Sequence, residues 1–470
     1  MDALLINPPL NTAYPTKGAY PMGLGYIGAM LRQAQCGVEV LDINLNGYDQ
    51  NFLTDFLKNT QGKYKLFGIG SMVTAYQYSK WLSKQIKKYT PDALVLAGGS
   101  LCTAGELLLR NSDIDIVCIG EGEKVITDIV EAIRSNKDFA LISNILLKRG
   151  RDIISTRRES PMDIDSISFP AWDLFEMDQY TKNSYLVPTN VPSITMITER
   201  GCPFNCTFCY RNFGRKTRHR NVNNVIEEIK TVIDRYGIGH IDFLDEIFNV
   251  NPIQVKELCK NIIHEGIKIT WRCIGRTDLV DKETLEIMYG AGCKWIGYGI
   301  ESGSQEMLNR MNKRQKIENV DKSIALSRKV GMIVTGTFII GMPGETEQTI
   351  QESREFFKRN EIFNIPFFPV PYPGTILYEE CKGRGLISNE ESYIASLNKD
   401  ATELTINLTE IPDSRLIELR NNLINEFETL IPSMELPLKQ KIYSLRNVFS
   451  WIKSTLRKEL FSSQEDATSL

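Results

Sequence analysis

Residues 200–212 read RGCPFNCTFCYRN, which places Cys202, Cys206 and Cys209 in the spacing C-x3-C-x2-C and supplies no fourth cysteine nearby. A structural zinc site wants a closed shell of four ligands. The only nearby candidate, His219, stands ten residues past Cys209 in a basic run, a spacing that fits no zinc pattern. A ferredoxin-type cluster takes four thiolates, the fourth usually followed by proline, and none of the later cysteines at 259, 273, 293 and 381 is so placed. Three thiolates on a 4Fe-4S cluster would leave one iron open to nitrogen and oxygen donors of a substrate or cofactor. The missing ligand then has a function. The seven remaining cysteines (36, 102, 118, 259, 273, 293, 381) sit singly in apolar runs and read as small buried hydrophobes. Ten cysteines scattered over 470 residues do not resemble a secreted disulfide framework.

Around the cluster, from residue 193 onward, apolar runs alternate with amphipathic helical stretches. Strands are expected at SITMIT (193–198), HIDFLD (240–245), KITWRCI (268–274), WIGYGI (295–300), MIVTGTFII (332–340) and NIPFFPV (364–370). Six βα units make a partial barrel, short of the eight that close, with a side opening for a large substrate. Towards the N-terminus, ALLI (3–6), VEVLDI (38–43), LFGIG (66–70), ALVLA (93–97) and IDIVCIG (114–120) predict five strands of an open, mostly parallel sheet. Ligands of such sheets lie at the carboxyl ends of the strands. Those ends carry Asn7-Pro8-Pro9, Asp42, Gly70-Ser71, Gly98-Gly99-Ser100 and Gly120-Glu121-Gly122-Glu123, where glycine lets a large ligand approach the backbone.

The fold class expected is thus α/β. An open parallel-sheet, Rossmann-like domain spans 1–140, a hairpin (144–156) and linker 141–190, a partial (β/α)6 barrel 191–385, and a helical C-terminal region 386–470. In that last region residues 438–461 form a basic amphipathic helix, with Ile442, Leu445, Phe449, Ile452, Leu456 and Leu460 on one stripe. It suits packing over the barrel or lying on a membrane surface, and the tail FSSQEDATSL reads as disordered. The basic run RNFGRKTRHR (211–220) reads as an anion contact near the site or a solvated loop.

Apolar residues at 42% and charged residues at 24% are ordinary for a folded globular protein. The start MDALLINPPL has no basic region followed by a long apolar run, so neither export nor a membrane span is expected, and a cytoplasmic location follows. A net charge of -3 and a pI near 5.9 argue against the broad basic surface of a nucleic-acid binder.

The CxxxCxxC motif with Phe208 before its last cysteine, just after the first strand of a partial barrel, resembles the radical S-adenosylmethionine (SAM) superfamily. The resemblance continues at DEIF (245–248), where Asp245 or Glu246 would receive the SAM amino group. Arg276, after WRCIG, would meet the SAM carboxylate or the substrate. Glu301 in GIESGS would contact the SAM sugar or amino acid, and Gly341 in GTFIIGMPGET would lie beside the adenine. The INPP start, PMGLGYIGAML, GIGSM, LAGGS and IGEGE look like the cobalamin (B12)-binding domain fused to many radical SAM enzymes. The resemblance covers roughly residues 1–385. It implies that Cys202, Cys206 and Cys209 hold a 4Fe-4S cluster, and that Ser71, Gly98, Gly99, Ser100, Gly120, Glu121 and Gly122 border a corrin. One departure matters: the D-x-H-x-x-G motif is missing and no histidine precedes His219, so cobalamin would be held base-off, with no histidine ligand.

What the resemblance implies is SAM cleavage to a 5'-deoxyadenosyl radical and, in methylating members, transfer of a methyl group from methylcobalamin to an unactivated carbon. Cyclisation, oxidation or rearrangement with the same cofactors is the second reading, and a non-catalytic iron-sulfur carrier the third. A small molecule, lipid or peptide is the expected substrate, and flavodoxin or ferredoxin the expected electron donor. Methylthiolation of tRNA is disfavoured, because those relatives carry three further cluster cysteines in the N-terminal domain and a C-terminal β-barrel.

Overall fold

Short runs of Leu, Ile and Val ending in glycine or a small polar residue build the first sheet. A computed structural model describes residues 2–9, 20–182, 189, 191–397 and 401–430. The strands are β1 (Asp2–Asn7), β2 (Gly37–Asp42), β3 (Leu66–Gly70), β4 (Leu94–Gly98), β5 (Ile116–Cys118), β6 (Ile145–Arg149) and β7 (Asp152–Ser155). Their order is β2-β1-β3-β4-β5-β6-β7. β1 to β5 run parallel, and β6 and β7 antiparallel. β1 is apolar on both faces because both are covered: Ala3 and Leu5 join one core cluster, Leu4 and Ile6 the other. The chain leaves β1 to one side for β2 and returns to the other for β3. That reversal opens a crevice at the carboxyl ends of β1 and β3.

The expected hairpin is present as β6 and β7 and joins this sheet, with Ile116–Cys118 pairing Ile145–Leu147. The reason is burial: Ile145, Leu146 and Leu147 are all buried, and pairing covers the edge of β5. The linker is also packed. Ala171 N–H donates to Gly25 O at 3.0 Å, Arg32 pairs with Asp173 at 2.6 Å, and Trp172 and Phe175 are buried.

The second unit contains β8 (Ser193–Met196), β9 (Glu199–Arg200), β10 (Arg218–His219), β11 (His240–Phe243), β12 (Thr270–Gly275), β13 (Cys293–Glu301) and β14 (Ile333–Phe338). Five of these form a parallel sheet in the order β14-β13-β12-β11-β8, while β9 and β10 make a separate two-residue antiparallel ladder. The sixth strand expected at 364–370 is reduced to the bridge Ile339–Phe367 and two hydrogen bonds, Phe367 N to Phe338 O and Ile340 N to Phe367 O. Pro366 and Pro369 supply no N–H, so the ladder cannot lengthen.

A helix at Ile376–Gly383 precedes the C-terminal region, and the helices expected there are present at Glu390–Ser396 and Asp413–Leu430. The last lies along the open edge of the barrel, where Arg420 Nε donates to Pro366 O at 2.7 Å and Phe427 packs on Phe363. The amphipathic stretch 438–461 and the tail lie outside the described residues. One core cluster contains Leu4 and Val95 of the first sheet together with Met307, Met342 and Leu377 beyond it, so apolar packing is continuous between the two units.

Candidate active site

The cysteine loop leaves β9 and returns into β10, so a small ladder closes its neck. Gly201, at φ +101°, opens the loop, and a Cβ there would sit 2.3 Å from Lys216 O. Only glycine lets the two ends meet. Further bonds fix the loop from outside: Thr207 N–H donates to Met311 O at 3.0 Å, Leu377 N–H to Thr207 O at 2.9 Å, and Asn312 Nδ2 to Asn205 O at 2.8 Å. The loop is therefore shaped by protein contacts. Cys202 and Cys206 are half-buried and Cys209 is exposed. Burial raises the Cys202 thiol above its ordinary range, so binding to iron must release its proton. Among the described residues no group of three or more His, Cys, Asp and Glu side chains converges on a point for one metal ion. Three cysteines in one loop, with no fourth cysteine or histidine in it, suit a cluster with one open iron better than a zinc site that needs four ligands.

The crevice at the carboxyl ends of the first sheet opens into a cavity of about 490 Å³. Ser71, Gly98, Gly99, Ser100, Gly120, Glu121 and Gly122 all line it. So do Arg200, Asn212 and Phe213, which flank the cysteines. Ser71 Oγ is buried there with no hydrogen-bond partner among the described residues. Gly120 has φ +80°, and a Cβ on it would meet nothing within 4 Å, so open space lies beside this turn. Gly99, at φ +74°, is different: its Cβ would lie 2.5 Å from Ser71 O. A roomy, mainly apolar cavity with a few polar groups fits a large planar cofactor.

Glu121 does more than border the cavity. Arg200 Nη1 donates to Glu121 Oε2 at 2.6 Å, Arg200 Nη2 lies 2.7 Å from Glu123 Oε1, and Arg218 also pairs with Glu121. The Arg200 guanidinium stacks between Tyr26 and Phe213, 5.0 Å from each ring centroid. Three of the basic residues expected to bind an anion or face solvent are thus consumed internally: Arg218 on Glu121, His219 Nδ1 on Glu199 at 2.9 Å, and Arg220 on Glu228. Desolvation decides this, since the side chain of each acid is at most 7% exposed and needs a partner. Arg200 itself went unnoticed in the sequence; only its place before the first cysteine hints at it.

A model of the radical SAM superfamily matches residues 196–357, and one of the B12 binding domain matches residues 12–130. An uncharacterised methyltransferase of Pyrococcus horikoshii is 30% identical over 400 residues, covering 82% of this chain and 84% of that protein. The chain belongs to the cobalamin-binding radical SAM family. A cytidylyl-2-hydroxyethylphosphonate methyltransferase of Streptomyces wedmorensis is 29% identical over 428 residues, covering 79% of this chain and 80% of that protein. The solved structure of the radical SAM methyltransferase TsrM of Kitasatospora setae, with cobalamin and a [4Fe-4S] cluster bound, shares the fold. Its TM-score is 0.67 at 18% identity, covering 82% of this chain and 75% of that one. The family's cofactors are a 4Fe-4S cluster, SAM and cobalamin.

Against that family pattern, the residues expected around SAM divide into open and committed groups. Asp245 is committed: its carboxylate accepts from Thr198 N–H at 2.6 Å, Thr198 Oγ1 at 2.7 Å and Glu199 N–H at 3.0 Å. Burial raises the Glu246 pKa to about 6, against the opposing pull of the backbone N–H groups of Gly201, Asn212 and Phe213. Its Oε2 is buried without a partner among the described residues. Of the two acids, Glu246 is the one with an oxygen to offer. Arg276 is engaged by Asp278 at 3.0 Å and by Lys313 O at 2.8 Å, and its guanidinium stacks 3.5 Å from the Phe204 ring centroid. It props the cysteine loop rather than reaching out as a free cation. Glu301 ends β13 at φ +71°, a left-handed conformation that costs a non-glycine residue about 1 kcal/mol or more, and Lys313 Nζ lies 3.4 Å from its Oε1. Gly341, at φ +101°, donates its N–H to buried Glu345 and packs against Leu416 of helix Asp413–Leu430.

Proposed function

We propose that this radical SAM enzyme is a cobalamin-dependent C-methyltransferase acting on an unactivated carbon. The observation that carries the reading is the shared cavity. Residues expected to border a corrin and residues flanking the three cysteines line one space, so two cofactors would face a single substrate. When bound, the reduced cluster supplies the electron that cleaves SAM to a 5'-deoxyadenosyl radical and the corrin supplies the methyl group.

The chain's own part is placement. Cys202, Cys206 and Cys209 would hold the cluster, with the loop fixed by Gly201, Thr207 and Asn312 before any metal enters. Glu246 Oε2 would accept from the SAM amino group, and Glu301 with Lys313 would bracket its polar end. Ser71, Gly98, Gly99, Ser100, Gly120 and Gly122 would border the corrin, while Glu121 would act through Arg200. With no histidine before His219, cobalamin would be held base-off, with no histidine ligand. The substrate is a small molecule, lipid or peptide, and a flavodoxin or ferredoxin supplies electrons.

Anaerobic reconstitution with SAM and cobalamin, followed by ultraviolet-visible spectra and mass spectrometry of SAM products, tests this. A methylase consumes two SAM per product and yields both 5'-deoxyadenosine and S-adenosylhomocysteine. Production of 5'-deoxyadenosine alone would overturn methylation in favour of cyclisation, oxidation or rearrangement.

A further inference from the structure

The inside of the barrel holds a cation that the reaction as described does not use. Along each strand, alternate residues face opposite sides. Ile194, Met196, Ile241, Phe243, Trp271, Cys273, Tyr298 and Phe338 belong to the core packed under the helices. Their alternates face the lumen, and register aligns Thr195 of β8 with Asp242 of β11, and Asp242 with Arg272 of β12. Arg272 turns toward β13, where it lies over Gly297: a Cβ on that glycine would be 3.2 Å from Arg272 Nη2 and 3.2 Å from Thr335 Oγ1. The missing side chain at Gly297 makes the room that the guanidinium occupies.

The other lumen charges have partners. Asp242 Oδ1 meets His240 Nε2 at 3.3 Å, and Lys313 meets Glu301 at 3.4 Å. Arg272 is reached by no ion pair among the described residues, and its Nη1 is buried without a hydrogen-bond partner. Thr195 Oγ1 and Thr337 Oγ1 are likewise buried and unpartnered, and Thr195 is only 6% exposed. A half-buried guanidinium with an unpartnered nitrogen is costly when empty. It is well formed for a carboxylate, phosphate or phosphonate, which it can bind through two N–H groups.

We propose that the barrel lumen binds an anionic group of the substrate, with Arg272 as its specificity-determining residue. Arg272 stands three residues before the end of β12 at Gly275. At 3.3 Å per residue its Cα is therefore about 10 Å below the rim, where the cysteine loop and the residues assigned to SAM lie. The anion would anchor the substrate from below, leaving its reacting carbon towards the shared cavity. This rests on the radical SAM reading of the barrel.

The test uses the reconstituted holoprotein, saturated with SAM and cobalamin, titrated with inorganic phosphate at constant ionic strength while thermal stability is followed. Wild type should show a saturable rise in Tm, and Arg272→Met should weaken the apparent phosphate affinity by about 10-fold or more. Without phosphate, Arg272→Met should have a Tm equal to or above wild type, because an unpaired charge has been removed. Its SAM affinity should be unchanged. No saturable rise in wild type, or an equal rise in Arg272→Met, would overturn the proposal. So would a lowered Tm of the phosphate-free variant, which makes Arg272 structural, or a lost SAM affinity, which assigns it to the SAM carboxylate. Failure of wild type to cleave SAM would instead sink the radical SAM reading itself.

Discussion

Arg200 Nη1 donates to Glu121 Oε2 at 2.6 Å across the seam between the two sheets, two residues ahead of Cys202. Both side chains are nearly buried, 3% and 7% exposed, and the same guanidinium also holds Glu123. The turn that closes the cobalamin-type crevice and the loop that carries the cysteines are thereby fixed to one another.

Arg200→Met strands Glu123 and leaves Glu121 with Arg218 alone. Removing one partner of a buried pair typically costs roughly 3–5 kcal/mol. The expected outcome is a lower midpoint of thermal unfolding, with the first sheet and the barrel separating into two transitions. A single transition at the wild-type temperature would show that the seam does not depend on this pair.

Gly99 and Gly120 both need a left-handed backbone, but their surroundings differ. Gly99→Ala drives a methyl into Ser71 O, so folding and cobalamin binding should fail together. Gly120→Ala meets nothing within 4 Å and should cost about 1–2 kcal/mol of stability. Its cobalamin affinity should fall more than its stability does, because the methyl enters the space assigned to the corrin. Equilibrium unfolding and cobalamin titration of the two variants compare these losses.

Most of the framework was legible because the hydrophobic pattern is strong. LFGIG at 66–70 matches β3 residue for residue, and the glycine-bearing strand ends gather round one cavity. The sixth barrel strand was misjudged because NIPFFPV is apolar enough for a strand, yet its prolines deny the ladder its donors. The hairpin at 144–156 was legible from its turn at Gly150-Arg151, but nothing local says that it pairs with β5. At the site, Asp245 and Arg276 looked like free ligands until their partners were known, Thr198 and Glu199 for one, Asp278 and Lys313 for the other. Arg200 escaped for a related reason: its partners stand 79 and 77 residues away, too far for any spacing rule to join them.

Glu345 gives a pH dependence with a defined sign. It is fully buried, accepts N–H bonds from Gly341 and Met342, and burial raises its pKa to about 7. The unfolded chain loses this proton near the ordinary glutamate value of 4.5, while the folded chain keeps it to about 7. Between those values the native state binds more protons, so stability falls as pH rises through the window and levels off above it. The fall amounts to on the order of 3 kcal/mol from this group. Glu345→Gln keeps an acceptor and removes the titration, so urea midpoints between pH 5 and 8 should flatten relative to wild type.

Alanine at Cys202, Cys206 or Cys209 should abolish cluster assembly and SAM cleavage while cobalamin binding persists, since none of the three lines the crevice. Iron and sulfide content beside a cobalamin titration checks both halves of that outcome.

The central claim is that the three-cysteine loop holds a cluster whose open iron takes SAM. Electron paramagnetic resonance of the reduced, reconstituted protein, recorded with and without SAM, tests it most directly. A 4Fe-4S signal whose g-values shift on adding SAM is the predicted result. A signal identical in both samples would mean that every iron is already ligated, and would contradict the account.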